Sequence, residues 1–199
     1  MESGRKDFDF SKMAESYDES MGGRAVRPFY NLLLSEIALA EGMRLLDVGC
    51  GTGAMLKRIC GNCRVEAHGI DVEANMIAVA ERKCPDITFN LAPAENMPYP
   101  DGYFDALTAC LAYHHLPDKA GFAREASRVL KTGGVLYIVD PNFPYALRKC
   151  MNAVIRLFKV VGEFFTSQEI AETFQAYGFA FAGAKRKGFA QIVTLTRTG

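Results

Sequence analysis

The sequence predicts an α/β protein with a doubly wound, mostly parallel sheet. Short apolar runs alternate with segments of helical periodicity along most of the chain, which is the pattern of successive βαβ units. The first apolar run, residues 43–48, leads directly into a glycine-rich turn, as expected for a buried strand that ends at a ligand pocket. The last 20 or so residues form two β-prone runs joined at Gly188, and these predict a closing antiparallel hairpin.

Two helices are predicted before the first strand. The first is short and has an apolar stripe that ends at Tyr17. The second is expected to begin at Pro28, which suits the first turn of a helix, and to run to about Ala40.

Five strands and three helices are then expected to alternate. The strands are predicted at residues 43–48, 65–71, 87–91, 104–109 and 135–139, and the helices at residues 54–60, 73–83 and from Asp118 to a stop at Gly133–Gly134. A capping box at Thr166–Glu169 starts the last helix, and Gly178 ends it. Because helices lie between successive strands, strands one to five are expected to be parallel.

Composition limits the class of protein. The 199 residues are expected to form a single domain. Lys+Arg and Asp+Glu are equal at 23 each, which disfavours a nucleic-acid partner. Six cysteines without an even framework, no secretory segment and no long apolar run favour a soluble, cytoplasmic protein without stable membrane insertion. Cys60 and Cys63 have a metal-like spacing, but without a second pair they predict no metal site.

The glycine-rich turn predicts a nucleotide-type pocket. Gly49, Gly51 and Gly53 follow the first strand as GxGxG, whereas the dinucleotide fingerprint is GxGxxG. This spacing suits an adenosyl group without phosphates better than a dinucleotide. Asp71 ends the second strand 18 residues after Gly53, where a carboxylate can accept hydrogen bonds from both hydroxyls of a ribose.

The motifs LLDVGCGTG, GIDVEANMI, AEN, DGYFD and VLKTGGVLYIVDP resemble those of class I S-adenosylmethionine-dependent methyltransferases. Within that superfamily they are most similar to the ubiquinone/menaquinone-biosynthesis type. The resemblance extends from about Tyr17 to Gly178. It implies S-adenosylmethionine as cofactor and a seven-stranded sheet of order 3-2-1-4-5-7-6 with an antiparallel last strand.

The resemblance also implies a set of cofactor contacts. Asp47 would lie near the cofactor amine, the glycines would admit the methionyl chain, and the residues after strand four would approach it. The loop that contains Ala94 and Glu95 would contact the adenine edge of the cofactor. The cofactor-binding candidates are Tyr17, Asp47, Gly49, Cys50, Gly51, Asp71, Val72, Met76, Ala94, Glu95, Ala109 and Cys110.

Two segments would cover the pocket according to the resemblance. Residues 1–42 would act as a helical lid with a hinge at Gly22–Gly23, although a helix that merely covers the sheet is an open alternative. Residues 141–166 would form a helical insertion near the acceptor pocket. Its apolar positions are Leu147, Met151, Val154, Ile155, Phe158 and Val161. Packing on the core or pocket is favoured for this face, and a dimer contact or a lipid-surface contact remains open.

His114 and His115 are the candidate catalytic residues. They follow strand four, and histidine titrates near neutral pH, so either could take a proton from the acceptor. The alternative is that both only hold the loop in place.

The favoured function is transfer of the methyl group of S-adenosylmethionine to a small-molecule acceptor by a monomer or homodimer. CLAYHH stands where an amino-methylating DNA enzyme has an asparagine–proline motif, so base methylation is disfavoured. An inactive cofactor-binding or regulatory module is the main alternative. A nicotinamide-dependent oxidoreductase is a weaker one, because the glycine spacing differs and the loop after strand four reads Tyr-His-His-Leu-Pro in place of a Tyr-x-x-x-Lys pair.

Overall fold

The structure is a computed structural model that describes residues 21–158 and 162–199. Thirteen main elements occur in the order α1 Met21–Glu36, β1 Arg44–Val48, α2 Ala54–Cys60, β2 Glu66–Asp71, α3 Ala74–Lys83, β3 Thr88–Leu91, β4 Phe104–Cys110, α4 Lys119–Val129, β5 Leu130–Pro141, α5 Tyr145–Leu157, α6 Ser167–Gln175, β6 Phe179–Lys187 and β7 Ala190–Arg197. A short 3₁₀ turn, Tyr113–His115, follows β4.

The sheet has seven strands in the order β3-β2-β1-β4-β5-β7-β6. Strands β1 to β5 pair in parallel, and β7 is antiparallel to both β5 and β6. The predicted fold class and strand order are therefore confirmed. The order reverses between β1 and β4, and ligands bind at the carboxyl ends of strands at such a switch point.

Apolar side chains pack on both faces of the sheet. One cluster includes Leu46, Leu107 and Phe122, and the other includes Leu45, Leu56 and Tyr137. Adjacent residues of β1 thus face opposite layers, as the period of two along a strand requires. This two-sided core holds the carboxyl ends of β1, β2 and β4 at one edge.

The first described helix differs from the prediction. α1 includes Gly22–Gly23, so the hinge expected there is wrong, and Pro28 lies inside the helix rather than at its first turn. The helix ends at Glu36, before the expected Ala40. Proline removes one backbone donor from a helix interior, but the apolar face that buries Leu32 and Leu33 continues across it.

The end of α4 also differs. α4 ends at Val129, and Gly133–Gly134 lie within β5 instead of terminating the helix. The pairing of β5 with β4 shifts register between Phe104 and Ala106. A bulge of this kind inserts residues without breaking the strand. The two glycines therefore lie in the irregular first part of β5.

The helix expected in residues 141–166 forms as α5, but its apolar face is not core. No residue of α5 is buried. Leu147, Val154 and Phe158 are 46%, 48% and 68% exposed. The packing on the core or pocket that the sequence favours for this face is therefore not found: no α5 residue lines the cavity, and among the described apolar positions only Met151 and Ile155 are half-buried. In the described part of the chain, no helix has the length and apolar character needed to cross a membrane.

Candidate active site

A cavity of about 490 Å³ lies at the carboxyl edge of the sheet. Its walls come from the turn after β1, the end of β2, the loop after β3 and the segment after β4. The predicted site residues that line it are Asp47, Gly49, Cys50, Gly51, Asp71, Val72, Met76, Ala94, Glu95, Cys110 and His115. The structure thus gathers most of the sequence-predicted residues around one space.

The turn after β1 is held by its main chain. The amide groups of Gly49 and Cys50 both donate to the Ile70 carbonyl, at 2.8 and 3.0 Å. Gly51 has a φ of +52°, and a Cβ added to it would meet no atom within 4 Å. Gly51 therefore leaves open space at the cavity wall. A larger side chain at this position would occupy space that a ligand could use.

Asp71 joins this turn to β2. One carboxylate oxygen accepts from the Gly51 amide at 2.8 Å, and the other accepts from the Glu73 amide at 2.9 Å. Burial raises the pKa of Asp71, and backbone hydrogen bonds from Glu73, Gly51 and Val72 oppose the rise. A carboxylate has about four acceptor sites, and three amide donors do not fill them all. The carboxylate is thus fixed in place and can still accept from a ligand hydroxyl.

Asp47 is the second carboxyl in the cavity. It is 2% exposed, and its Oδ1 accepts from Thr108 Oγ1 at 2.6 Å. Burial raises its pKa to about 7; the Thr108 hydrogen bond opposes the rise, and the charge of Asp71 adds to it. A cationic ligand group would favour the ionised form.

The opposite wall is the segment after β4. Leu111 has a φ of +59° and is the only residue other than glycine with positive φ among those that the structure describes. The left-handed conformation costs about 1–2 kcal/mol for such a residue, and strain of this kind concentrates at functional sites. Ala112 packs so closely that a Cβ on Gly49 would lie 2.6 Å from its Cβ. The two walls therefore meet at Gly49 and Ala112.

The two candidate histidines occupy different positions. His115 lines the cavity. His114 is 8% exposed and points away from it to Asp140, with 2.7 Å between Nδ1 and Oδ1. The two rings lie 3.9 Å apart between centroids. Only His115 can touch a ligand in the cavity, and His114 links it to a buried carboxyl.

Asp140 was not anticipated from the sequence. It lies at the carboxyl end of β5 and is 1% exposed. Burial raises its pKa, and the neighbouring His114 opposes the rise. The signal that identified Asp71, an acid at the end of an apolar strand, applies equally to Asp140. Tyr30, Thr108 and Leu111 were also missed, because each enters the site through tertiary contacts.

Two predicted cofactor contacts are not found in the cavity. Ala109 is fully buried and packs in the cluster on one face of the sheet, whereas the adjacent Cys110 faces the other. Because successive side chains of β4 point to opposite faces of the sheet, Ala109 does not line the cavity, which corrects the prediction. Tyr17 lies outside the described residues.

The described residues contain neither a reactive cavity thiol nor a metal site. Burial raises the pKa of Cys110 well above its ordinary value, so this cavity thiol is held neutral. Among residues 21–158 and 162–199, no group of three His, Cys, Asp or Glu side chains is arranged to hold a metal ion.

The strand order, the glycine turn and the carboxylate at the end of β2 together define the class I methyltransferase fold. Residues 46–138 match the family described as "Methyltransferase domain". This stretch of the chain is therefore similar to methyltransferase domains, and the predicted resemblance is confirmed.

Two curated relatives and one solved structure support this assignment. The chain is 37% identical over 107 residues to 2-methyl-6-phytyl-1,4-hydroquinone methyltransferase of Synechocystis sp., covering 52% of this chain and 34% of that protein. It is 31% identical over 138 residues to demethylmenaquinone methyltransferase of Chlorobaculum tepidum, covering 69% of this chain and 54% of that protein. The matches thus span about a third to a half of these relatives.

A SAM-dependent methyltransferase from Aquifex aeolicus has a similar fold. The TM-score is 0.74 at 20% identity, and the match covers 94% of this chain and 98% of that one. This likeness extends beyond the family match to both ends of the sheet.

Proposed function

We propose that this protein transfers the methyl group of S-adenosylmethionine to a small-molecule acceptor. The observation that carries the proposal is the single cavity with two unlike walls. One wall has the glycine turn with Asp47 and Asp71, and the other has His115 and the strained Leu111. A cofactor held by the first wall would present its reactive end to an acceptor at the second.

The residues of the first wall fit this cofactor. Gly51 leaves open space beside the main chain, and Asp71 keeps acceptor capacity for a ribose hydroxyl. Asp47 places a second carboxyl where a cationic group would be favoured. When bound, the cofactor supplies a methyl group on positively charged sulfur, which in-line displacement passes to a nucleophile with formation of S-adenosylhomocysteine.

The chain's own contribution is chiefly positioning. Reacting atoms held near 3 Å apart and in line lower the barrier by avoiding the entropy of encounter. Leu111, Ala112 and Leu116 line the wall beside His115 with apolar surface that limits access of water. The His115 ring accepts the acceptor's proton, and Asp140 positions the adjacent His114 ring.

The nature of the acceptor follows less directly. The two curated relatives are named for a phytyl hydroquinone and a demethylmenaquinone, so aromatic hydroquinones are the first acceptors to test. The relatives and the family description support methyl transfer and give no support to the nicotinamide-dependent alternative. A cytoplasmic location and a monomeric or homodimeric state stay predictions.

A screen of acceptors tests the proposal. The purified chain is incubated with S-adenosylmethionine and each of a set of hydroquinones, phenols and amines, and S-adenosylhomocysteine is measured by mass spectrometry. At least one acceptor should give product above the level of a Gly51→Val control. Cofactor binding without product from any acceptor would instead favour a binding or regulatory module.

A further inference from the structure

Arg148 and Asn152 lie on the side of α5 that packs on the protein. Arg148 Nη1 forms an ion pair with Glu169 Oε2 at 2.7 Å. Asn152 donates from Nδ2 to the Phe164 carbonyl at 2.9 Å and accepts from the Phe164 amide at 3.0 Å. Met151 and Ile155, which are three residues further along and share this side, are half-buried. These residues fix which side of the helix faces inward.

The opposite side of α5 is apolar and exposed. Leu147, Val154, Leu157 and Phe158 are 46%, 48%, 75% and 68% exposed, and we call these four residues the outer face. An ordinary surface helix turns its apolar stripe toward the core. Here four large apolar side chains of one helix are turned outward instead, and exposed apolar surface of this kind marks an interaction site.

The tip of the β6–β7 hairpin continues this surface. Phe189 is 59% exposed, and its ring lies 5.6 Å from that of Phe143 between centroids. The Asn142 amide also donates to the Phe189 carbonyl at 2.7 Å. Since Phe143 is followed directly by the N-cap of α5 at Pro144, the hairpin tip, residues 185–189, adjoins the start of the helix.

Both segments are basic. Residues 141–162 contain four cations and no acid, and residues 185–189 contain three cations and no acid, in a chain of zero net charge. Arg148 and Arg156 pair with Glu169 and Glu163, and Lys185 pairs with Glu36 at 2.6 Å. The ion pairs between described residues do not include Lys149, Arg186 or Lys187. These side chains can reach a negatively charged surface.

The charge of this surface distinguishes between two possible partners, a second copy of the chain and a lipid bilayer. A second copy placed face to face would bring the same cations opposite one another, because an isologous contact pairs a patch with itself. An anionic bilayer offers apolar chains to the outer face and phosphate groups to the cations. We propose that the outer face of α5 and the hairpin tip dock this protein on an anionic lipid surface.

Docking would bring the lipid surface close to the cavity. The segment that follows α5 contacts the histidine loop, with the Glu163 amide donating to the His114 carbonyl at 2.9 Å. The inference goes beyond the proposed function and does not depend on it. Lipid binding can be measured with no cofactor or acceptor present.

Vesicle flotation tests the proposal on the full chain. Vesicles of phosphatidylcholine with about a third phosphatidylglycerol should retain the protein at low salt, and pure phosphatidylcholine vesicles should retain much less. The double variant Leu157→Ser/Phe158→Ser should bind the anionic vesicles at least about tenfold more weakly. Arg186→Gln/Lys187→Gln should weaken binding by about tenfold and reduce its dependence on salt.

Matched control variants remove an apolar side chain or two cations outside the proposed docking surface. Leu91 is 59% exposed on β3, at the opposite edge of the sheet, so Leu91→Ser should bind like the wild type. Lys57→Gln/Arg64→Gln removes one cation in α2 and one in the loop before β2 and should have little effect. Circular dichroism shows whether each variant is folded.

Three results would overturn the proposal. They are absence of binding to anionic vesicles, equal losses in the variants and their controls, and a wild-type dimer that Leu157→Ser/Phe158→Ser converts to a monomer. The last result would assign the outer face to contact between copies.

Discussion

The two walls of the cavity are built by different means. The wall after β1 consists of main chain and of a carboxylate held by main-chain amides, with Gly51 and Asp71 at its centre. The wall after β4 depends on side chains that meet from distant parts of the chain, such as His114 and Asp140. The first wall is suited to a constant ligand, whereas the second can change its ligand by side-chain replacement.

Blocking the first wall should have the largest effect. In Gly51→Val, a β-branched side chain would enter the open space at φ +52°. We expect S-adenosylmethionine affinity to fall by more than about a thousandfold, as measured by calorimetric titration.

Gly102→Val is the matched control for backbone strain. Gly102 has a φ of +59° with open space around it, but it does not line the cavity. Its substitution should lower thermal stability without reducing affinity. Full cofactor binding by Gly51→Val would mean that the cavity is not the cofactor site.

Removing the carboxylate of the same wall should have the next largest effect. Asp71→Ala loses the charge-assisted hydrogen bonding to ribose, which costs about 2–4 kcal/mol, or about 30- to 1000-fold in affinity. Asp101→Ala, at an 81% exposed side chain, controls for loss of an acid. Unchanged affinity in a folded Asp71→Ala protein would disprove the ribose assignment.

The second wall should respond in rate rather than in cofactor affinity. His115→Asn removes the candidate base of the second wall and should slow single-turnover methyl transfer by about a hundredfold. The loss should shrink as pH rises for an acceptor that ionises without help. A normal rate in this variant would leave positioning alone as the mechanism.

His114→Asn should act in a different way. It removes the histidine partner of the buried Asp140, and loss of a hydrogen-bond partner by a buried polar group costs about 1–3 kcal/mol. We expect a lower melting temperature together with a reduced rate. An unchanged melting temperature would show that the 2.7 Å contact contributes little to stability.

The smallest effect concerns the pH dependence of cofactor affinity. With a pKa of about 7, Asp47 is ionised at pH 8 and mostly protonated at pH 6. If its charge attracts the cationic cofactor, affinity should fall by up to about tenfold over this interval. Asp47→Asn should bind more weakly at pH 8 and show a flatter profile. A wild-type affinity constant between pH 6 and 8 would contradict this role.

The same pKa has the opposite consequence for the free protein. A carboxyl whose pKa is raised on folding holds its proton more tightly in the folded state. Its contribution to stability is full below the ordinary pKa of 3.8 and is lost as pH rises toward about 7. Melting temperatures of wild type and Asp47→Asn should therefore converge at low pH.

The difference between the walls explains what could be predicted. Gly49, Gly51 and Asp71 could be placed from sequence because a strand, a glycine turn and a second strand form a local unit with fixed spacing. The strand order required the resemblance, since periodicity alone does not give the neighbours of a strand.

The second wall could be predicted only in part. The histidines were located correctly after β4, but which of them faces the cavity depends on Asp140, 26 residues away from His114. The outward apolar face of α5 could not be found either. Helical periodicity locates a stripe but does not say whether it faces the core or the surroundings.

Calorimetric titration of the wild-type chain with S-adenosylmethionine, S-adenosylhomocysteine and NAD tests the central claim most directly. We predict one competitive site for the two adenosyl ligands on each chain and no binding of NAD. Binding of NAD at this site, or no binding of either adenosyl ligand to the folded protein, would contradict the account.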